Sequence, residues 1–316
     1  MTTTTPLCGA VEAGGTKFVC MVGTGPGDMR EQARFATLSP EVTLRETLDF
    51  FRGASARHGQ LEAIGIASFG PIDLHVDSPT YGFITSTPKP GWANVDIAGT
   101  IRDALGLPVG FDTDVNGAAL SEWRWGAAQG LENFIYLTIG TGIGGGGMVT
   151  GRLMHGLVHP EMGHVRIPHD VDADPFAGVC PFHGDCLEGL ASGPAMNARW
   201  LQPAEQLPED HPGWLLEARY LALALVNFIC TLSPERIVIG GGVMSKTALY
   251  PLVRSQVLAL LNNYVRAPQI LEAVDDYIVA PWLGGHAGVL GALALAQQVV
   301  EESEAASLQR PPRRTD

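Results

Sequence analysis

The sequence predicts a mixed α/β protein built from two domains with a cleft between them. Apolar segments of strand length alternate along the chain with segments of helical periodicity. A strand, a glycine-rich turn and a second strand follow one another twice, around Gly14-Gly15 and around Gly140-Thr141-Gly142. The chain has 316 residues, more than a single hydrophobic core usually supports. Repetition and length together predict two domains of related architecture.

The first half of the chain is predicted to contain a β-hairpin, a third strand, and then alternating helices and strands. Pro40 suits the first position of a helix, and Gly59 is a suitable stop after it. Apolar residues recur between them at helical spacing, at Leu44, Leu48 and Phe51. The predicted strands cover residues 7–11, 18–22, 32–37, 63–67 and 108–111, and a second helix covers 95–105.

The second half repeats the hairpin and adds longer helices. Helices are predicted at residues 117–128, 214–231 and 287–300, strands at 134–139, 143–149 and 236–239, and Gly240-Gly241-Gly242 is predicted to open a further helical stretch. We expect a small N-terminal domain of residues 1–116, on which helix 287–300 packs back. Residues 117–286 would form a larger domain with a metal-braced loop, and 301–316 a flexible tail.

Net charge and composition exclude several classes of partner. The formal net charge is −13, so the surface offers no basic field for nucleic acid or an anionic membrane. Hydrophobic residues make up 46% of the chain, but no run approaches the roughly 20 apolar residues that cross a bilayer. Of the five cysteines, three fall outside the cluster described next, an odd remainder that suits a reducing cytosol. We therefore expect a soluble, cytoplasmic protein.

Four potential metal ligands, His164, Cys180, His183 and Cys186, are separated by fifteen, two and two residues. This spacing suits one tetrahedral Zn²⁺, because a single turn can present three ligands while a separate segment supplies the fourth. A site with four protein ligands is closed, whereas catalytic zinc usually keeps a position for water. The sequence therefore predicts a structural Zn²⁺ that braces a loop, and it argues against a zinc hydrolase.

Glycine-rich turns at residues 14–17, 138–142 and 240–243 are candidate phosphate sites. Glycine lets the backbone approach a phosphate closely, and a neighbouring Thr or Lys adds a side-chain donor. The first turn, taken alone, is better explained as an ordinary hairpin turn. The second turn, in an equivalent position, favours two turns that bind one polyphosphate, and the third follows a strand, where α/β proteins bind nucleotides. Neither the Walker nor the Rossmann glycine pattern occurs.

Asp112, Asp114 and Asn116 follow the strand predicted at 108–111 and open a helix. Catalytic groups of α/β proteins lie at the carboxyl ends of strands. One carboxylate can serve as a helix N-cap, a purely structural role, while the other faces a substrate. Asp114 is the predicted general base.

Two glutamates flank the four-ligand cluster. Glu161 precedes His164 by three residues, and Glu188 follows Cys186 by two. Single glutamates are usually solvated surface groups, but a rigid ligand frame would hold these two in place. We predict that they orient the hydroxyl groups of a substrate.

A family resemblance extends from residue 9 to about 300. The segments that carry it are Glu12-Ala-Gly-Gly-Thr-Lys17, Ser68-Phe-Gly-Pro-Ile-Asp73, Lys89-Pro-Gly-Trp-Ala-Asn94, Asp114-Val-Asn116, Thr138-Ile-Gly-Thr-Gly-Ile-Gly144, His159-Pro-Glu-Met-Gly-His164, Cys180-Pro-Phe-His-Gly-Asp-Cys-Leu-Glu188 and Ala191-Ser-Gly-Pro194. This set resembles the ROK family of sugar kinases, most closely its bacterial fructokinase branch. The cysteine and Ser68–Asp73 segments are specific, whereas the glycine turns alone are not.

The resemblance implies an actin-like ATPase (ribonuclease H-like) fold with ATP and a hexose in the cleft. It implies an ATP-dependent fructokinase that forms D-fructose 6-phosphate and ADP, uses Mg²⁺ with ATP, holds structural Zn²⁺ and forms a homodimer. Asp114 would deprotonate the sugar, and sugar contacts would come from Asn94, Asp114, Glu161, His164 and Glu188. Nucleotide contacts would come from Gly14, Gly15, Thr16, Lys17, Thr138, Gly140, Thr141, Gly142, Pro194, Gly240, Gly241, Gly242 and Val243. Glu12 stands where the wider family has Asp, which leaves its contact with Mg²⁺ open.

Other classes share parts of this pattern. A kinase of glucose, mannose or N-acetylmannosamine would share almost every motif, although such relatives often carry Cys-x-Cys-x4-Cys where this chain has Cys-x2-His-x2-Cys. A sugar-responsive repressor would need a DNA-binding domain before the strand that starts near Leu7, and a charge that this chain lacks. A non-catalytic sugar sensor is the last alternative. The sugar, the nucleotide selectivity and the oligomeric state are left open.

Overall fold

The structure is a computed structural model that describes residues 5–308, and within these residues the chain forms two compact units. The first unit runs to Trp125 and also contains Gly156–His159 and the segment from Gly285 onward. The second contains Gly126–His155 and Pro160–Gly284. The domain limits expected from the sequence stay a prediction.

Strands and helices alternate as predicted for an α/β chain. The strands are β1 (Cys8–Ala13), β2 (Lys17–Gly25), β3 (Asp28–Ala36), β4 (Ile64–Ser68), β5 (Phe83–Ile84), β6 (Val95–Asp96), β7 (Val109–Thr113), β8 (Phe134–Ile139), β9 (Ile143–Val149), β10 (Arg152–Leu153), β11 (Arg236–Gly240) and β12 (Ile278–Val279). The helices are α1 (Pro40–His58), α2 (Ile97–Leu105), α3 (Asp114–Trp125), α4 (Leu187–Ala191), α5 (Gly193–Trp200), α6 (Gly213–Leu232), α7 (Leu249–Leu261), α8 (Pro268–Leu271), α9 (Val274–Tyr277) and α10 (Ala287–Leu308).

Each unit contains a mixed five-stranded sheet, and the two sheets have the same topology in the described part of the chain. In the first unit the order is β3-β2-β1-β4-β7. Strand β2 pairs antiparallel with β3 and with β1, and β4 pairs parallel with β1 and with β7. In the second unit the order is β10-β9-β8-β11-β12, with the same sequence of antiparallel and parallel pairs. The duplicated architecture expected from the two glycine turns is therefore present.

Helix α10 packs directly on the sheet of the first unit because glycines remove the intervening side chains. A Cβ added to Gly65 on β4 would lie 1.7 Å from the carbonyl oxygen of Ala292. Helices α3 and α10 meet at a second glycine pair, where a Cβ on Gly291 would lie 2.1 Å from the carbonyl oxygen of Gly117. The last helix of the chain thus completes the core of the first unit.

Several predicted element limits are wrong. The helix predicted at 95–105 begins at Ile97, because Val95–Asp96 pairs with β5 and the Asp96 carboxylate caps the helix by accepting a hydrogen bond from Gly99 N. The helix predicted at 117–128 is α3, which begins at Asp114. Gly240-Gly241-Gly242 is followed by a short 3₁₀ turn, and the next α-helix begins at Leu249.

The C-terminal segment differs from the expected tail in its first part. Helix α10 continues to Leu308, beyond the predicted end at 300, and Arg124 on α3 forms an ion pair with Glu301. Residues 309–316, the remainder of the expected tail, lie outside the described residues.

Helix α6 is long and apolar enough to cross a membrane by length and composition, contrary to the expectation that no segment approaches that limit. Half of its most apolar window is buried inside the second unit. Residues such as Trp214, Leu221 and Phe228 belong to that unit's hydrophobic core. These contacts are those of the central helix of a folded domain.

Candidate functional site

The junction between β7 and α3 holds the predicted general base. The hydroxyl of Thr113 accepts a hydrogen bond from Asn116 N at 3.1 Å, so Thr113 is the N-cap, whereas the sequence pointed to an aspartate cap. The carboxylate of Asp112 is buried and accepts hydrogen bonds from Thr113 N at 2.7 Å and from the Asn116 side-chain amide at 2.9 Å. Asp112 and Asn116 thus fix the first turn of α3.

Asp114 is the first residue of α3 and is half-buried. Its Oδ1 accepts a hydrogen bond from Val115 N at 2.9 Å. The dipole of a helix stabilises a negative charge at this end. The position gives a carboxylate that is held in place and partly open to solvent, as a general base requires.

Asn94 lies in the first unit, in the loop between β5 and β6. It has the left-handed backbone conformation, with φ of 60°, and an exposed side chain. Trp92, two residues before Asn94, is fully buried, donates a hydrogen bond from Nε1 to Leu38 O at 2.9 Å, and packs edge-on against Phe69. Trp92 therefore anchors the loop while Asn94 stays accessible.

The first glycine turn joins β1 to β2. Gly14 N donates to Lys17 O at 3.0 Å, and the hydroxyl of Thr37 donates to Gly14 O at 2.6 Å. The side chains of Thr16 and Lys17 are exposed. The turn is braced from behind by Thr37 and presents a hydroxyl and an ammonium group outward.

Glu12, at the end of β1, lies beside the start of α10. A Cβ on Gly288 would lie 2.5 Å from the carboxyl carbon of Glu12, so glycine is needed to make room for this side chain. Burial raises the pKa of Glu12, while Lys17, Arg34 and His286 lower it by a smaller amount. A cation that approached this carboxyl group would favour its ionised form.

In the second unit, the four predicted metal ligands converge. Their ligand atoms all lie within 4.8 Å of one another. Cys180 Sγ lies 3.7 Å from His164 Nδ1 and 3.6 Å from His183 Nδ1, and Cys186 Sγ lies 3.6 Å from His164 Nδ1. Tetrahedral Zn²⁺, with bonds of about 2.3 Å to sulfur and 2.0 Å to nitrogen, would separate S and N ligands by about 3.5 Å. The residues therefore fit a zinc ion in spacing and in chemistry.

A tight turn positions the two cysteines. Cys180 and Gly184 exchange two backbone hydrogen bonds, of 3.2 and 2.9 Å, and Gly184 has φ of 66°, which a residue with a side chain rarely adopts. Burial raises the pKa of the Cys186 thiol to about 11. Because zinc binds the thiolate, metal binding at this cluster would release protons.

The two flanking glutamates differ in their surroundings. Glu161 is exposed, and its carbonyl oxygen accepts a hydrogen bond from His164 N at 3.0 Å. Glu188, on α4, is half-buried: its Oε2 accepts a hydrogen bond from Ile143 N at 2.9 Å, and its Oε1 lies 4.0 Å from His164 Nε2. Glu188 therefore connects the second glycine turn to the metal-ligand cluster.

A cavity of about 610 Å³ lies beside the second glycine turn. The turn is closed by a hydrogen bond from Gly140 N to Gly142 O at 2.9 Å, and Gly193 N donates to Gly140 O at 2.8 Å. These contacts place the N-terminus of α5 beside the turn, and N–H groups at a helix N-terminus favour phosphate. The lining residues are Gly140, Thr141, Gly193, Pro194, Asn197, Pro203, Ala204, Glu205, Gly242, Val243 and Ser245.

Of the predicted nucleotide residues, Gly140, Thr141, Pro194, Gly242 and Val243 line the cavity, and the others do not. Thr138 and Gly240 face each other on paired strands β8 and β11. Gly241 has φ of 95°, and a Cβ there would lie 2.3 Å from Ile139 O, so it shapes the strand end. Asn197 and Ser245 also line the cavity, although neither is among the residues predicted from the sequence. Asn197 lies one helical turn after Gly193, a spacing that identifies it once α5 is known.

Two sheets of equal topology with a glycine turn in each are the actin-like ATPase fold of the solved ROK sugar kinases that this structure resembles, and the chain is a sugar kinase of that class. The chain belongs to the ROK family, whose model matches residues 8–299.

Known relatives span nearly the whole chain. A Bacillus subtilis (strain 168) protein is 46% identical over 301 residues, which cover 95% of this chain and 98% of that protein. The fructokinase of Lactococcus lactis subsp. cremoris is 44% identical over 273 residues, 86% of this chain and 90% of that enzyme. The solved ROK hexokinase of Thermus thermophilus is 27% identical, with a TM-score of 0.76 over 94% of this chain and 99% of that one. Relatives named fructokinase are 40–44% identical, and those named glucokinase 26–27%.

Proposed function

We propose that this chain is an ATP-dependent fructokinase that converts D-fructose and ATP to D-fructose 6-phosphate and ADP. The observation that carries the proposal is the position of Glu188. One of its oxygens accepts a hydrogen bond from Ile143 N, directly after the second glycine turn, and the other faces His164 of the metal-ligand cluster. A phosphate site and a hydroxyl-binding site thus share one side chain. The higher identity to relatives named fructokinase supports fructose over glucose.

The nucleotide is held mainly by backbone groups of the second unit. The turn at Gly140 and the N-terminus of α5 offer N–H donors to its phosphates, while Val243 and Pro194 line the same cavity. In the first unit, Thr16 and Lys17 supply a further hydroxyl and a positive charge. Mg²⁺ bound with ATP would offset the charge of the phosphates, and Glu12, two residues before Gly14 of the first glycine turn, is the carboxyl group that would meet it.

Asp114 acts as the general base. Its carboxylate takes the proton of the C6 hydroxyl of the sugar as that oxygen forms a bond to the γ-phosphorus, and the bond from the γ-phosphorus to the bridging oxygen of ADP breaks. The hydrogen bonds of Asp112 and Asn116 hold the first turn of α3, so the base keeps its orientation. Little else is required, because phosphoryl transfer depends mostly on positioning and charge.

The sugar hydroxyls are bound by Asn94, Glu161, Glu188 and His164. Zinc would be held by His164, Cys180, His183 and Cys186, and would supply a rigid frame for this segment. Because His164 directs Nδ1 to the cluster, its Nε2 remains on the side of Glu188. Zinc held there would serve sugar binding by orienting His164 and the two glutamates.

A substrate panel tests the proposal. ADP release is measured with Mg-ATP and fructose, glucose, mannose or N-acetylmannosamine in a coupled assay. We expect the highest kcat/KM with fructose. A higher value with another sugar would assign the enzyme to that sugar, and no turnover with any of them would identify a sensor and overturn the kinase assignment.

The cellular setting follows from the substrates. ATP and hexoses meet in the cytoplasm, where we place the enzyme. We also propose a homodimer, which size-exclusion chromatography with light scattering would test by returning twice the chain mass.

A further inference from the structure

Arg199, near the end of α5, joins several segments of the second unit. Its side chain is only 6% exposed. Nη1 donates a hydrogen bond to Leu190 O at 2.9 Å, at the end of α4, and the guanidinium carbon lies 4.4 Å from the ring centre of Phe176. Nη2 lies 3.2 Å from Asp174 Oδ2, as an ion pair without hydrogen-bond alignment. The arginine thus binds α4, α5 and the loop before the cysteine turn to one another.

The network continues to the metal-ligand cluster. Asp174 Oδ2 also accepts a hydrogen bond from the Tyr220 hydroxyl of α6. His169 lies between the loop and the cysteine turn, with Nε2 2.9 Å from Asp174 O and Nδ1 3.3 Å from Asp185 Oδ2. Asp185 immediately precedes the ligand Cys186. A chain of direct contacts therefore leads from Arg199 to the cysteine turn.

The contact with Leu190 O crosses the boundary between two functional helices. Helix α4 carries Glu188, and α5 begins at the cavity with Gly193 and Pro194. The two helices meet at Ser192, whose hydroxyl caps α5. The hydrogen bond from Arg199 on α5 to Leu190 O on α4 sets the angle between these two helices. It thereby sets the distance from Glu188 to the cavity.

Stability alone does not account for a guanidinium at this position. Burying a charged pair costs desolvation energy that its attraction often only offsets, and apolar side chains of similar volume serve as well. Glu217 is a second buried carboxyl group near Arg199, and neither of its oxygens has a hydrogen-bond partner within the described residues. What Arg199 does supply is one directional hydrogen bond from α5 to the end of α4, together with an ion pair to Asp174 that lacks hydrogen-bond alignment.

We infer that Arg199 is a positioning residue, which holds the nucleotide-binding helix α5 and the metal-braced segment with Glu188 in one arrangement. The inference rests on the proposed function for the identity of the two ligands. It predicts that loss of the arginine weakens nucleotide binding and hexose binding together, although Arg199 does not line the nucleotide cavity.

The test compares Arg199→Met with Arg254→Met. Arg254 on α7 is a matched control in the same unit. Its side chain is largely buried, its guanidinium carbon lies 5.6 Å from the Tyr250 ring centre, and Nη2 donates a hydrogen bond to Ile278 O. Like Arg199 it does not line the cavity, but it lies on α7 and not on α5. ADP affinity is measured by calorimetry with Mg²⁺, and fructose KM by the coupled assay. We expect the ADP dissociation constant and the fructose KM both to rise about fivefold or more in Arg199→Met, and both to change less than about twofold in Arg254→Met.

Unchanged ADP affinity in Arg199→Met, or equal losses in both variants, would overturn the inference, whatever happens to thermal stability. If Arg199→Met does not fold, Arg199→Lys decides, because lysine keeps the charge but not the planar guanidinium that contacts Leu190 O, Asp174 and the Phe176 ring at once. It should show a smaller rise in both constants, and wild-type values would overturn the inference. A wild-type protein that binds ADP but phosphorylates no hexose contradicts the proposed function alone, and the ADP titrations still decide the role of Arg199. A wild-type protein that binds no ADP contradicts both.

Discussion

Substitution of Asn116 by alanine tests the junction that holds the proposed general base, Asp114. Asn116 is fully buried, and its side-chain amide donates to Oδ1 of Asp112, which is itself only 2% exposed. A hydrogen bond to a charged group is worth about 1.5–3 kcal/mol, and little water can replace it here. We therefore expect Asn116→Ala to lower the free energy of unfolding by about 2 kcal/mol or more. It should also lower kcat, because the turn that carries Asp114 loses a support.

Urea unfolding followed by circular dichroism measures the first effect, and Asn227→Ala is the matched control. Asn227 also donates a side-chain hydrogen bond, to Leu223 O at 2.9 Å, but it is exposed on α6. The control should change the free energy of unfolding by less than about 0.5 kcal/mol. Equal effects of the two substitutions would refute the reasoning from burial.

Three further perturbations follow from the structure. Burial raises the pKa of Glu217 well above 4.5, so this group contributes stability that is present below pH 4.5 and is lost as the pH rises through its folded-state pKa. As the pH rises through that pKa, the free energy of unfolding of the wild type should fall by up to about 1.4 kcal/mol per pH unit, and Glu217→Gln should remove this fall. An equal dependence of the free energy of unfolding on pH in the two proteins would contradict this. Gly241→Ala, at φ of 95° and against Ile139 O, should lower the free energy of unfolding in urea by at least about 1 kcal/mol. Gly242→Ala should be near neutral, because a Cβ added there would meet no atom within 4 Å outside the adjacent residues. Cys186→Ala should reduce zinc content and raise the fructose KM about tenfold, with ADP affinity nearly unchanged. A wild-type KM in metal-free protein would show that the metal does not serve sugar binding.

The sequence predicted best those features that depend on neighbouring residues. The hairpins around Gly14 and Gly140 and the junction at Asp114 depend on local apolar runs and turn residues, and the structure contains them all. The four-ligand cluster was also predictable, because fixed ligand spacing narrows the possible geometry. The cap at Thr113 was missed, since aspartate and threonine cap helices with similar preference and only the backbone geometry decides between them.

Contacts between distant segments could not be predicted. The hydrogen bond from Ile143 N to Glu188 and the one from the Tyr220 hydroxyl to Asp174 join residues that are 45 and 46 positions apart, and no periodic pattern marks them. The end of α10 was missed for a different reason. Residues 301–308 lack an apolar face, so periodicity gives no signal, but their glutamates and alanines favour a helix and Glu301 pairs with Arg124.

Asp114→Asn is the most direct test of the proposed mechanism, because it keeps the size of the side chain and removes its capacity to accept a proton. The assay is the steady-state rate of ADP release at saturating Mg-ATP and fructose, with ADP affinity measured in parallel. We predict a fall in kcat of about 10²-fold or more, the scale of general base catalysis, with ADP affinity and thermal stability close to those of the wild type. Turnover near the wild-type rate would contradict the assignment of Asp114 as the base.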